Sequence, residues 1–293
     1  MLHCRGKINS KKITITSNQE DYMLPHLLHI YGPLWIQSYG VMIAISFICF
    51  LTITYNLERR KHLISDELYL NTVYIGLVAG IIGGRLLTII NTPEAFSQHW
   101  YEVFFPWVGG LTVLGAILGV IIAVTGYLMY HSVPVLPLLD IAAVYTPLMQ
   151  SIGRIGCFLS GCCYGIPASS GCWWAVTFSD PACQAPLNIP LHPAQLYTMV
   201  GSFTVFLGLF LFAKKLYPRT GALTFLYLVL ENINRFVTDF WRSDREALHY
   251  YNIMESSISL STMQTWSLVI GLVALIGLCI VLFTTKNHRL DHK

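Results

Sequence analysis

Seven long apolar runs divide the chain, at about residues 37–57, 68–90, 107–130, 137–158, 195–213, 221–241 and 264–284. An α-helix rises 1.5 Å per residue, so about 20 residues cross the roughly 30 Å hydrocarbon core of a bilayer. The strict alternation typical of transmembrane β-strands is missing from these runs. The pattern therefore predicts an all-α, polytopic membrane protein with about seven transmembrane helices and an external loop between helices four and five.

The composition supports a membrane protein rather than a soluble domain. Of the 293 residues, 54% are hydrophobic and only 11% are charged, and the mean hydropathy is +0.57, whereas soluble domains have about 25% charged residues. The formal net charge of +3 comes partly from the first 22 residues. Since no nucleic-acid motif accompanies it, we expect membrane lipids, and not nucleic acid, as partners.

Lysine and arginine predict the orientation, because short cytoplasmic loops retain them. Three segments carry basic clusters, after the first, fifth and seventh runs: Arg59, Arg60 and Lys61; Lys214, Lys215 and Arg219; Lys286, Arg289 and Lys293. The segments 91–106, 159–194 and 243–263 together carry one basic residue, Arg245. We therefore expect the N-terminus outside and the C-terminus in the cytoplasm.

Residues 1–22 conflict with this orientation, since Arg5, Lys7, Lys11 and Lys12 would lie outside. A signal peptide is a weaker explanation, because neither an apolar segment nor a cleavage site directly follows the basic residues. We interpret 1–22 as a dispensable extension, untranslated or disordered, with Met23 as the start. The expected organisation is then a transmembrane domain at 23–285 and a cytoplasmic tail at 286–293.

Four arginines lie inside or at the edge of the apolar runs: Arg85, Arg154, Arg235 and Arg242. Each would cost about 2.5–3.5 kcal/mol at the bilayer centre, so each needs a partner or a function. Counting the helical rise places all four in the outer half of the membrane. Snorkelling to the interface is an alternative for Arg242 and explains Arg154 and Arg235 less well.

The sixth run contains a stripe of polar residues at helical spacing: Glu231, Asn234, Arg235, Thr238, Asp239 and Arg242. Such a stripe must face the interior of a helix bundle or a water-filled cavity. One interpretation is a structural ion-pair ladder from Glu231 through Arg235 to Asp239. The other is a cationic cavity that binds a phosphate or lipid head group, which the planar guanidinium contacts in bidentate fashion.

Glycines recur at four-residue spacing in Gly76-x3-Gly80-x3-Gly84 and Gly115-x3-Gly119. Small residues at this spacing let transmembrane helices approach closely, so we expect helix packing here. The pair Gly109-Gly110 differs, since it begins a helix after a loop and could present backbone N–H groups to an anion.

Five cysteines follow one another around the end of the fourth run: Cys157, Cys162, Cys163, Cys172 and Cys183. The outer side of a bacterial membrane is oxidising, so Cys172 and Cys183 are candidates for a loop disulfide. A reactive thiol is a second alternative. A metal site is the least favoured, because the C-x2-C spacing is missing, and we expect no metal.

Several motifs, taken in order, resemble those of the prolipoprotein diacylglyceryl transferase family. They are Ile36-Gln37-Ser38-Tyr39-Gly40, Gly83-Gly84-Arg85-Leu86, Trp107-Val108-Gly109-Gly110-Leu111, Gly153-Arg154-Ile155-Gly156, Trp174-Ala175-Val176-Thr177-Phe178, His192-Pro193-Ala194-Gln195-Leu196-Tyr197 and Asn234-Arg235-Phe236. A single motif would be weak evidence. The ordered set, from about Met23 to the last helix, is specific.

The resemblance implies a multi-pass enzyme of the bacterial inner membrane. Its reaction would move the diacylglyceryl group of phosphatidylglycerol to the lipobox cysteine of a prolipoprotein signal peptide, without a cofactor, and release glycerol phosphate. It implies Arg154 and Arg235 as catalytic residues, and we add His192 as a candidate base. The expected substrate-binding residues are Tyr39, Arg85, Gly109, Gly110, Gln195, Tyr197, Glu231, Asp239 and Arg242.

The chain departs from the family pattern at several positions. Leu114 stands where the family has a histidine that is proposed as a base, and Cys157, Ser160 and Cys162 replace asparagine, asparagine and glutamate. Thiol activation would then fall to His192 or to the field of the arginines. Two alternatives follow: a paralogue with a different acceptor, or a membrane protein without transferase activity that performs thiol redox chemistry or binds lipid.

Overall fold

The computed structural model describes residues 25–31, 34–96, 112–169, 171–244, 247–253 and 256–290. Eight helices lie in these ranges: α1 (Ser38–Asn56), α2 (Glu58–Leu63), α3 (Asp66–Asn91), α4 (Val113–Tyr130), α5 (Val135–Leu159), α6 (Ala194–Leu216), α7 (Ala222–Thr238) and α8 (Thr262–Leu290). The predicted helical class is therefore confirmed. The extension 1–22 lies outside the described residues.

Five helices are long and apolar enough to cross a membrane: α1, α3, α5, α6 and residues 262–284 of α8. The helices in the other two predicted runs, α4 and α7, have 18 and 17 described residues. Large apolar side chains on the outside of the bundle are exposed, such as Ile122 at 72% and Leu211 at 75%. These exposed faces suit hydrocarbon rather than water.

Within the residues that the structure describes, three short antiparallel strand pairs accompany the helices, and the sequence pattern did not predict them. They are β1 (His26–Tyr31) with β2 (Leu34–Gln37), β3 (Val176–Thr177) with β4 (Pro190–Leu191), and β5 (Ala247–Ile253) with β6 (Ser256–Ser261). The β5–β6 hairpin leads directly into α8. Its last residue reaches the polar stripe of α7, as described below.

Helix α5 is the centre of the bundle and packs against α1, α6 and α7. Its residues Ile141 and Val144 form a buried cluster with Leu209 of α6 and Leu223 of α7. The side chain of Asp140 is buried at the start of α7 and accepts hydrogen bonds from the backbone N–H groups of Gly221 and Thr224 at 2.6 and 2.8 Å. This carboxylate therefore caps α7 and fixes its position against α5.

The predicted glycine packing is present between α3 and α4. A Cβ atom on Gly115 would lie 2.3 Å from the carbonyl oxygen of Gly83, and one on Gly119 would lie 2.4 Å from that of Ala79. Only glycine permits this approach at both positions. The tight contact involves Gly83 rather than Gly84 of the predicted motif, because Gly83 is on the face that meets α4.

Candidate active site

The polar stripe begins on α7 and continues through Asp239 and Arg242 just after this helix. It faces the interior, as predicted, and meets α6 and the end of β6. Asn234 donates to the hydroxyl of Ser202 on α6 at 3.2 Å. A Cβ atom on Gly201 would lie 1.9 Å from Oδ1 of Asn234, so a larger residue at this position would have to displace the Asn234 side chain. Glu231 accepts from Ser202 and Asn234, both at 3.3 Å. Its second carboxylate oxygen has no hydrogen-bond partner among the described residues.

Only half of the alternative ion-pair ladder forms within the described part of the chain. Arg235 pairs with Asp239 at 3.5 Å, and the Arg235 side chain remains 26% exposed. Glu231 instead makes the neutral contacts given above. Asp239 is almost fully buried and accepts a hydrogen bond of 2.5 Å from the hydroxyl of Ser261, the last residue of β6. Arg235 is thus loosely held, while Asp239 is tied to a second element.

Arg154 lies near the end of α5 and is partly buried. Over the described residues its guanidinium makes no hydrogen bond within 3.5 Å and no ion pair within 4.0 Å. It is close enough to Glu231 and Arg235 for electrostatic interaction with both. Two guanidinium groups from different helices therefore converge, and their planar forks are largely available to an anion.

Arg242 has a different environment from the other two arginines. It is 5% exposed and forms a bidentate ion pair with Asp244, with distances of 2.8 and 2.6 Å. The hydrogen bonds from Arg242 hold the pKa of Asp244 below its usual range. Burial excludes simple snorkelling of this side chain, and one edge of its fork is already occupied.

His192 is connected to a chain of aromatic residues at the start of α6. Its Nδ1 atom lies 3.0 Å from the hydroxyl of Tyr197, which accepts a hydrogen bond of 2.7 Å from the indole of Trp174. The Tyr197 ring also contacts the ring of Trp241 edge-on at 5.7 Å. The Tyr197 oxygen has two lone pairs, so it can accept a hydrogen bond from the Trp174 indole and a second one from Nδ1–H of His192, which leaves Nε2 as the acceptor nitrogen of the neutral imidazole. This arrangement fixes the imidazole, as a base requires.

The end of α5 and the turn after it form a Schellman motif that contains two of the cysteines. Gly161, with a φ of 66°, donates to the carbonyl of Phe158 at 3.2 Å, and Cys162 donates to that of Cys157 at 3.1 Å. The motif brings the side chains of its first and last residues together. Here those residues are Cys157 and Cys162.

Cys163 follows in the left-handed region, with a φ of 56°, which is unusual for a residue with a side chain. The Sγ atoms of Cys157, Cys162 and Cys163 all lie within 4.8 Å of one another. Hydrogen bonds from the other two thiols, together with the charge of Arg242, lower the pKa of the Cys163 thiol. The structure therefore brings three thiols into one cluster, whereas the sequence showed only that they lie in the same segment of the chain.

An apolar cavity of about 840 Å³ lies between the α3–α4 pair and the rest of the bundle. Its lining includes Phe50 of α1, Val73 of α3, Val120 of α4, Leu138 of α5 and Leu228 of α7. On α5 the lining ends at Met149, which is five residues or about 7.5 Å before Arg154. The cavity thus approaches the arginines from the apolar side and can take hydrocarbon chains.

A family model described as prolipoprotein diacylglyceryl transferase matches residues 25–280. The chain belongs to this family. The phosphatidylglycerol–prolipoprotein diacylglyceryl transferase of Clostridium tetani is 32% identical over 222 residues, which cover 76% of this chain and 86% of the relative. The protein of the same name from Dechloromonas aromatica is 29% identical over 262 residues, or 88% of this chain and 95% of the relative. The resemblance inferred from the motifs is thereby confirmed.

Among the other predicted residues of this family member, the structure brings Tyr39 to the same centre. Tyr39 lies in the first turn of α1, within electrostatic reach of Arg154 and the three clustered cysteines. A Cβ atom on Gly156 would lie 3.2 Å from the Cα atom of Tyr39, so this glycine brings α1 against α5. Arg85 is 6% exposed on α3. Gly109 and Gly110, the candidate anion-binding pair, lie outside the described residues.

Gln195 holds the cysteine turn in place. It is fully buried, and its amide donates to the carbonyl of Cys162 at 2.8 Å. A shared site for Gln195 and the cysteines could not be read from the sequence, which separates Gln195 from Cys162 by 33 residues.

The predicted disulfide is not formed in the structure, where Cys172 and Cys183 are both free thiols. Cys183 packs against Gly161, where an added Cβ atom would lie 2.7 Å from the Cβ atom of Cys183. The backbone N–H of Cys172 donates to the carbonyl of Ser169 in a separate turn. The two cysteines therefore belong to different parts of the loop.

Sequence reasoning missed three polar residues that shape the site: Ser202, Asp244 and Ser261. Serines are common in transmembrane helices and loops, so the pattern singled out neither Ser202 nor Ser261. Asp244 could have been found, because it is the first acidic residue after Arg242 and follows it by two residues. The Schellman motif also had a signal, since Gly161 stands where such a motif requires a left-handed residue.

Proposed function

We propose that the protein transfers the diacylglyceryl group of phosphatidylglycerol to the thiol of a prolipoprotein lipobox cysteine and releases glycerol phosphate. Membership of the family and the activity for which its relatives are named support this proposal. The observation that carries it is the guanidinium of Arg154, which lies in a membrane helix without an ion pair to any described residue. The buried phosphate of a lipid supplies the partner that such a group requires.

Arg154 and Arg235 hold the phosphate in this proposal. Their positions on α5 and α7 let two planar forks contact one phosphate from different directions. As the thiolate sulfur attacks the glyceryl carbon, the carbon–oxygen bond to the phosphate breaks and negative charge grows on the leaving oxygen. The two guanidinium groups stabilise that charge and so lower the barrier.

His192 takes the proton of the acceptor thiol. Its Nδ1 atom is held by Tyr197, so Nε2 is the nitrogen that can accept the proton. The thiolate then forms the new carbon–sulfur bond, and the proton leaves with solvent or with the glycerol phosphate. Tyr39, Glu231, Gln195 and Asp239 line or support the same centre, and Arg242, paired with Asp244, lies within electrostatic reach of Arg235.

The apolar cavity holds the acyl chains of the donor lipid. It opens between α3–α4 and the central helices and ends about 7.5 Å before Arg154 along α5. A lipid with its phosphate at Arg154 can therefore place hydrocarbon in this space. Such a position keeps the head group at the arginines while the chains remain in an apolar environment.

The proposed topology has seven crossings, an external N-terminus and a cytoplasmic C-terminus in the bacterial inner membrane, with the reaction at the outer face. The basic clusters after α1 and α6 support it. Reporter fusions after Arg60, Lys215 and Lys293 should report cytoplasm, and a fusion within 165–190 should report the outside. A reversed signal at any of these four positions contradicts the topology.

Reconstitution tests the activity directly. Proteoliposomes contain phosphatidylglycerol that is labelled in the diacylglyceryl group, and a lipobox peptide is added. The labelled lipidated peptide and the free glycerol phosphate are both measured. We expect both products in equal amounts. A peptide with serine in place of the lipobox cysteine and liposomes of phosphatidylethanolamine are the controls. Glycerol phosphate release without lipidated peptide would contradict the proposed acceptor.

A different acceptor is the second candidate, and the position of Leu114 favours it. Leu114 replaces the family histidine and is 60% exposed at the start of α4. If wild-type protein is inactive on the lipobox peptide, Leu114→His is the test variant. Activity gained by this substitution would show that the histidine loss, rather than the phosphate site, restricts the reaction.

A further inference from the structure

The three cysteines at the end of α5 are arranged as ligands, although the proposed transferase reaction does not use them. The Schellman motif sets Cys157 beside Cys162, and the left-handed backbone of Cys163 directs the third thiol to the same point. The three Sγ atoms lie within 4.8 Å of one another. Backbone hydrogen bonds, rather than loop flexibility, thus determine the spacing.

This spacing is close to that of a metal-bound thiolate set. Zinc binds cysteine sulfur at about 2.3 Å, so two thiolates on one tetrahedral ion lie roughly 3.8 Å apart. Movements of less than about 1 Å would bring the three sulfur atoms to a common ion. The usual C-x2-C spacing is unnecessary here, because the turn itself brings the cysteine sulfur atoms close together, as that spacing does in common zinc sites.

The surroundings match the charge and the hydrogen bonding of such a site. Three thiolates and one divalent cation leave a net charge of −1, and Arg242 and Arg154 both lie within electrostatic reach of the cluster. The hydroxyl of Ser160 donates to the sulfur of Cys162 at 3.4 Å, and Gln195 fixes the Cys162 backbone. Such outer contacts orient the ligands of metal sites.

We propose that Cys157, Cys162 and Cys163 bind one thiophilic d10 cation of the Zn²⁺ class. Soft thiolate ligands select such ions over Mg²⁺ or Ca²⁺. A set of three protein ligands leaves one coordination position for water or another donor. The proposal is independent of the transferase activity, because binding can be measured without turnover.

Cadmium is the probe, because thiolate-to-cadmium charge transfer absorbs in the ultraviolet. The full-length protein is reduced, treated with a chelator and titrated with Cd²⁺ in nanodiscs, and Zn²⁺ is then added as a competitor. We expect one equivalent of Cd²⁺ to bind and Zn²⁺ to displace it. Serine at Cys157, Cys162 or Cys163 should weaken binding by more than about 100-fold, beyond the roughly 10–100-fold cost of losing an outer-shell partner.

The matched control carries serine at the other five cysteines: Cys4, Cys49, Cys172, Cys183 and Cys279. It should bind Cd²⁺ like the wild type. If this variant is not stable, the alkylation of the three thiols in wild-type protein is measured with and without Zn²⁺. Bound Zn²⁺ should protect them. The proposal would be overturned by any of three results. These are a failure to bind one equivalent of Cd²⁺, unchanged binding after all three cysteines are replaced, and a disulfide within 157–163 found by mass spectrometry.

Discussion

Replacing Arg235 by lysine keeps the positive charge but removes the planar fork. If the fork contacts the lipid phosphate, the variant loses about one charge-assisted hydrogen bond in the transition state, worth about 1.5–3 kcal/mol. At 1.36 kcal/mol per factor of ten, turnover should fall roughly 10- to 150-fold. Stability should change by less than about 1 kcal/mol, since the ion pair to Asp239 is long and the Arg235 side chain is 26% exposed.

The assay measures lipidated peptide in proteoliposomes and, in parallel, the thermal midpoint of the purified protein. Arg59→Lys is the matched control, because Arg59 contacts Tyr217 at the opposite end of the bundle, and it should leave turnover unchanged. The turnover of Arg154→Lys should be lower than that of the wild type by a factor similar to that for Arg235→Lys. Turnover of Arg235→Lys within twofold of the wild type would refute the phosphate role. A large loss of thermal stability would instead favour the ion-pair ladder.

Three further predictions concern stability. Asp140→Asn removes a charged acceptor from the start of α7 and should cost about 1.5–3 kcal/mol, measured as a lower thermal midpoint. Gly201→Ala forces a methyl group into α7 and should cost about 1–3 kcal/mol, whereas Gly208→Ala, which meets open space, should not. The pKa of Asp244 is lowered in the folded state, so its ion pair stabilises the protein at pH values above the unfolded pKa of about 3.9. This stabilisation is lost as the pH falls through the lower folded pKa. Asp244→Asn should remove that part of the pH dependence of the thermal midpoint.

Much of the fold could be predicted because its signals are local. The length of each apolar run predicts a helix, and a described helix occupies each of the seven runs. The 3.6-residue period of α7 correctly predicted that its polar residues share an interior face. The strand pairs were missed, because the short β3–β4 pair and the hairpins before α1 and α8 lie in segments without a clear alternating pattern.

The candidate site was only partly predictable. The sequence singled out four arginines, Arg85, Arg154, Arg235 and Arg242, because each is costly in a membrane. Their different environments depend on groups that periodicity cannot locate. Asp244 occupies the fork of Arg242, while Ser261 binds one oxygen of the Asp239 carboxylate and Arg235 pairs with the other.

The sequence by itself determined the class of the molecule, its helices and the polar composition of its centre, since run length and helical spacing are properties of neighbouring residues. The tertiary structure decided which charges are available and which thiols meet. Availability depends on partners from other elements, and the meeting of Cys157, Cys162 and Cys163 depends on two left-handed backbone conformations in one turn. These contacts are set by packing and hydrogen bonding, which the order of residues along the chain does not express directly.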